Sequence, residues 1–169
     1  MKTRNTLLGM FVIAFAMCSV MVSAYDADTP YTVTMQWIVP SDTSFTVSLA
    51  GAETTIDFDD NVVDKDSKYV QPDSQDNSTS TPIAEITNTG NQNLDFSCNL
   101  TATKPSWAVL MVNNATDLAT ATTFDTTAVT IQDNVAAAAT VDMYLWTNLT
   151  NADAGTTSRT FQINSVASS

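Results

Sequence analysis

The chain has 169 residues, with 18 acidic and 6 basic side chains, a formal net charge of −12 and no histidine. The missing histidine excludes Ser-His-Asp and Cys-His nucleophile systems, His-ligated zinc, a His axial haem ligand and an imidazole pH switch. With so few Lys and Arg to neutralise phosphates, no nucleic-acid partner is expected, and no enzyme motif stands out.

The N-terminus reads as an export signal. Lys2 and Arg4 precede an apolar run over residues 7–22, then Val22-Ser23-Ala24, then Tyr25, Asp26 and Asp28. This order fits a secretory signal peptide over residues 1–24, cleaved after Ala24. The alternative, a transmembrane anchor, needs roughly 20 apolar residues, and the run has about 16. Cleavage removes Lys2 and Arg4 and no acid, leaving Lys65, Lys68, Lys104 and Arg159 against 18 acids, or −14. It leaves Cys98 as the one cysteine, so residues 25–169 hold no internal disulfide. About 145 residues bury a sufficient core without one. Cys98 then reads as a buried thiol or, alternatively, as an intermolecular disulfide.

Along the exported part, apolar residues alternate. Tyr31, Val33, Met35, Trp37 and Val39 share one face, with Thr32, Thr34 and Gln36 on the other, predicting a strand over residues 31–39. Phe45, Val47 and Leu49 form a second run, and Ile56 and Phe58 a third. Residues 59–82 have no period. Ile83 begins another strand, ended by Asn88-Thr89-Gly90-Asn91, a turn with Gly90 at the positive-φ position. Leu94, Phe96, Cys98 and Leu100 alternate with polar residues. Residues 107–112 are continuously apolar, as in a central strand. Residues 113–123 read as a polar loop, and 124–131 as a strand. Ala136 to Ala139 are too few for a stable helix and lead into a strand carrying Val141, Met143, Leu145 and Thr147. A turn at residues 151–155 precedes a last strand with Phe161 and Ile163. Eight to ten short strands without a long helix predict an all-β fold, a single antiparallel β-sandwich of Ig-like or jelly-roll type over residues 25–169.

Three groups of residues are candidate sites. Eight acids lie within residues 53–76 against Lys65 and Lys68. Calcium takes several carboxylate and carbonyl oxygens, and Asp57, Asp59, Asp60, Asp64 and Asp66 are its candidate ligands. The EF-hand pattern fails, with Val62 where Gly belongs and Lys68 where Glu belongs, and a solvated acidic loop is the plainer reading. No other cofactor is indicated. Asn77, Asn99, Asn114 and Asn148 each begin an Asn-x-Ser/Thr sequon and are candidate glycosylation sites. The segment with Tyr31, Val33, Met35, Trp37 and Val39 is either the first strand of its own sandwich or an assembly strand for the open edge of a neighbour.

The stretch Ile83-Ala84-Glu85-Ile86-Thr87-Asn88-Thr89-Gly90-Asn91, running into Leu94-Asp95-Phe96, resembles the strand–turn–strand of secreted Ig-like modules on archaeal and bacterial surfaces. With an export signal and one all-β domain, the chain is also similar in architecture to camelysin/TasA-type filament subunits and archaeal bundling pilins. That resemblance implies a jelly-roll-like sandwich polymerising by strand donation, and carries over no functional residue. The expectation is a non-catalytic, extracellular or cell-surface structural subunit that self-associates and has no membrane contact after signal cleavage. The alternative is a secreted module recognising calcium or glycan through residues 53–76.

Overall fold

The computed structural model describes residues 34–169. The chain divides into two units, Met1–Val39 and Pro40–Ser169. The signal-peptide expectation for residues 1–24 lies outside the described residues, as do Tyr31 and Val33. Of the first unit, residues 34–39 are described. They form no strand, and Met35, Trp37, Ile38 and Val39 are 71–82% exposed. Residues 34–39 thus lack the strand that the alternation predicts for them.

Among the described residues there are eight strands: β1 (Phe45–Leu49), β2 (Ala84–Asn88), β3 (Leu94–Leu100), β4 (Ala108–Asn113), β5 (Thr122–Phe124), β6 (Val129–Val135), β7 (Thr140–Leu149) and β8 (Phe161–Ala167). They build a five-stranded sheet, β1-β2-β7-β4-β5, and a three-stranded sheet, β6-β3-β8, and every pairing is antiparallel. The predicted run at Ile56 and Phe58 is not a strand, although both side chains pack against the core. The predicted strand over 124–131 is two strands in different sheets, β5 and β6, with residues 125–128 passing between the layers. No helix among the described residues is long and apolar enough to cross a membrane.

The alternation in β3 does what period-two patterning dictates: Leu94, Phe96, Cys98 and Leu100 are buried, and the residues between them are half-exposed. These side chains meet Ile86, Val112, Phe124, Met143 and Leu145 from the larger sheet in one core. Phe96 packs on Phe45 of β1 with ring centroids 5.4 Å apart, and Leu100 N–H donates to Asp125 O beyond β5. Each aromatic or Leu side chain so buried contributes about 1.5–3 kcal/mol.

β7 is different. Residues 143–147 are all buried, because both faces are covered. Met143 and Leu145 face the main core, while Tyr144 and Trp146 stack at 6.3 Å on the outer face with Met111, under Leu118 and Ala121.

The Asn88 turn works through its amides rather than through a positive φ. Gly90 is not among the positive-φ residues; a Cβ there would sit 2.1 Å from Asp42 O. The fully buried Asn88 donates through Nδ2 to Gln92 O (2.8 Å) and Val135 O (2.9 Å) and accepts from Gly90 N–H (3.0 Å). Asn91 donates to Pro40 O and accepts from Asp42 N–H, each at 2.8 Å. Glycine is needed here so that the segment leading into β1 can approach.

Candidate functional site

The acidic stretch between β1 and β2 is held against the larger sheet. β2 pairs with the first half of β7 and β4 with the second half, on the opposite edge. The edge of Leu145, Thr147 and Leu149 that β2 leaves open is filled by the loop. Val70 and Thr147 exchange both backbone hydrogen bonds, at 2.9 and 2.8 Å, and Leu149 N–H donates to Ser67 O at 2.7 Å. The buried Gln75 side chain acts as a surrogate peptide. Its Oε1 accepts from Leu145 N–H at 2.7 Å and its Nε2 donates to Leu145 O at 3.1 Å. Lys68 Nζ reaches Leu149 O and Thr150 Oγ1, and Lys65 Nζ donates to Asn151 Oδ1 at 2.7 Å. No buried side-chain nitrogen or oxygen among the described residues lacks a partner. A polar segment without period is thus fixed by ladder bonds, as buried polar groups require.

Within it, Ile56 and Phe58 turn inward and Asp57 and Asp59 outward. Asp73 N–H donates to Asp57 O at 3.1 Å, which brings a third carboxylate alongside. Carboxylate oxygens of Asp57, Asp59 and Asp73 lie within 4.8 Å of one another. Asp73 also accepts from Asn61 Nδ2 at 3.2 Å. Partial burial, then the neighbouring Asp57 carboxyl, raises the Asp73 carboxyl above the usual range. Asp73 is the member that the sequence reading missed, since its role depends on a fold-back across 16 residues, from 57 to 73.

The other candidate ligands are engaged elsewhere. Asp60 offers its N–H to Asp73 at 3.4 Å. Asp64 Oδ1 accepts from Asp66 N–H at 2.7 Å. Asp66 accepts from Asn151 N–H at 2.7 Å, and this bond, followed by Lys65, holds its carboxyl below the usual range. The Lys65–Asp66 contact of 3.1 Å is exposed and contributes little.

All four sequon asparagines are half-buried. Asn99 Nδ2 donates to Leu100 O (3.0 Å) and Asn114 Nδ2 to Gln132 Oε1 (2.5 Å). Asn77 and Asn148 instead use their Oδ1 atoms, which accept from Gln75 Nε2 (2.9 Å) and Tyr69 N–H (2.6 Å). Cys98 is fully buried, and burial pushes its thiol up to about 12. It is a small core hydrophobe, out of reach of a second chain while β3 is folded.

No family model matches the chain, and comparisons with curated proteins and with solved structures return no match. Fold and site together define an all-β protein of two antiparallel sheets, with a pinned acidic loop and, among the described residues, exposed apolar side chains at residues 35–39 ahead of β1.

Proposed function

We propose that the chain is an exported, non-catalytic structural subunit of a cell-surface or extracellular assembly, joined to its neighbours by the strand-forming segment of residues 31–39. The carrying observation is the state of that segment. Met35, Trp37, Ile38 and Val39 are large apolar side chains, 71–82% exposed, in a stretch patterned as a strand whose described residues, 34–39, pair with none. Contiguous exposed apolar surface of this kind marks an interaction site. A sheet edge of a neighbour supplies both the backbone partners and an apolar face. The segment carries no charge between Pro30 and Pro40, so nothing in it opposes edge pairing. Negative-stain microscopy of the purified exported protein over a concentration series tests this: filaments or sheath-like arrays are expected, and strict monomers at every concentration overturn it.

One observation favours a second reading, calcium recognition through the acidic loop. Asp57, Asp59 and Asp73 present oxygens within 4.8 Å of one another, the crowding a hard cation relieves. Calorimetric titration with calcium decides it. Heat that disappears in Asp73→Asn supports this reading, and no heat with no change in melting temperature removes it.

A further inference from the structure

Resting on the assembly reading, we infer that the acceptor is the free edge of β8 in a second copy of this chain, which takes residues 31–39 as a fourth strand of the smaller sheet. The described residues contain four sheet edges: β1 and β5 in one sheet, β6 and β8 in the other. Three of them are short or guarded. β5 has three residues and β1 five, running straight into a 3-10 turn. β6 is broken by register shifts against β3 and carries Asp133 and Asn134, the latter at φ 56°. Bulges and charges of this kind protect an edge. β8 has neither. Its seven residues pair with β3 in unbroken register from Leu100↔Phe161 to Leu94↔Ala167, and none is charged.

The hydrogen-bond parity shows which atoms are free. Thr101 N–H donates to Thr160 O (3.0 Å) and Ser168 N–H to Asn93 O (2.8 Å), so the even-numbered residues of β8 bond to β3. The N–H and C=O groups of Phe161, Ile163, Ser165 and Ala167 therefore point away from the sheet. Among the described residues no strand receives them. The same parity puts Phe161 and Ile163 on the core side, where both are only half-buried against the main core. A strand laid along this edge continues that row with its own alternating apolar side chains. Residues 31–39 supply five of these at period two, over nine residues against the seven of β8. The donor's other face, Thr32, Thr34 and Gln36, then joins Gln162 and Asn164 on the polar side of the sheet.

Disulfide trapping between whole exported chains tests the assignment. Gln36→Cys is mixed with Gln162→Cys on β8 and, separately, with Ser48→Cys on β1, Thr123→Cys on β5 or Thr130→Cys on β6. Cys98 is in the core and does not compete. The expected result is a linked dimer with Gln162→Cys, at least several-fold above the other three. Preferred linkage at β1, β5 or β6 overturns the β8 assignment while strand donation stands. Linkage at none of the four overturns strand donation itself. A chain carrying both Gln36→Cys and Gln162→Cys that closes on itself at high dilution, as a monomer, overturns the second copy as occupant. A companion variant, Ala167→Pro, at an exposed position of β8, removes one outward N–H without touching a β3 bond. It is expected to keep the melting temperature and lose assembly, and assembly at the unmodified level contradicts the proposal.

Discussion

Two segments exchange the roles that their sequences suggest. Residues 31–39 alternate strictly and carry Met35 and Trp37 on one face, yet the described part pairs with no strand and stands exposed. Residues 59–82 have no period and are rich in Asp, Ser, Asn and Gln, yet Ser67, Val70, Pro72 and Gln75 are buried and complete the open edge of β7. Alternation specifies that a stretch can be a strand and says nothing about where its partner lies. A polar stretch joins a sheet when its side chains reproduce the bonds a strand would make, as the Gln75 amide does for Leu145.

The comparison breaks first at Gln75. In Gln75→Leu both polar backbone groups of Leu145 lose their partner in a buried place, and stability should fall by about 2–4 kcal/mol. Urea unfolding measures this. A loss below 0.5 kcal/mol would show that the loop merely lies on the sheet.

Gly90→Ala tests the other tie, between the Asn88 turn and the segment leading into β1. The added Cβ meets Asp42 O at 2.1 Å, which is backbone and must move. A loss of about 1–3 kcal/mol is expected. Faster amide exchange should be confined to residues 42–49.

Titration sharpens the comparison within the loop itself. Asp73 has a raised carboxyl pKa in the fold, so its contribution is fully present below the unfolded value and is lost as pH rises through the folded one. In calcium-free buffer, Asp73→Asn should therefore melt slightly higher than the parent at pH 7, and the gap should close towards pH 4. Asp66 and Asp76 behave oppositely. Hydrogen bonds from Asn151 N–H and from the Ser78 hydroxyl respectively lower their carboxyls, so their contribution exists above the unfolded value and is lost as pH falls. Melting curves of Asp66→Asn and Asp76→Asn should converge with the parent only in acid.

Much of the fold was legible where one face of a strand meets the core. β3 is legible residue by residue because each inward position is apolar; β1 and β8 follow from the same alternation, and β4 from its continuous apolar run. Tyr144 and Trp146 were not assigned to a core, because the period-two rule allots β7 one buried face and the second cover comes from distant residues. The strand over 124–131 was read as continuous because apolar residues at both ends of a corner mimic one run. Of the carboxylate cluster, Asp57 and Asp59 were visible as neighbours two apart. Asp73 was invisible because its approach is set by the backbone bond to Asp57 O. Asp64 and Asp66 looked equivalent to these two, but local turns and the 149–151 corner engage them.

The smallest expected effect on stability belongs to the exposed segment, and it carries the central claim. In Met35→Asp/Trp37→Asp, two side chains that are 71% and 77% exposed gain charge without disturbing the core. The melting curve should match the parent within about 0.5 kcal/mol. Sedimentation velocity of the parent and this variant over a hundredfold concentration range is the most direct test. Concentration-dependent assemblies are expected for the parent and a single monomeric species for the variant. A parent that stays monomeric throughout, or a variant that assembles as the parent does, contradicts that claim.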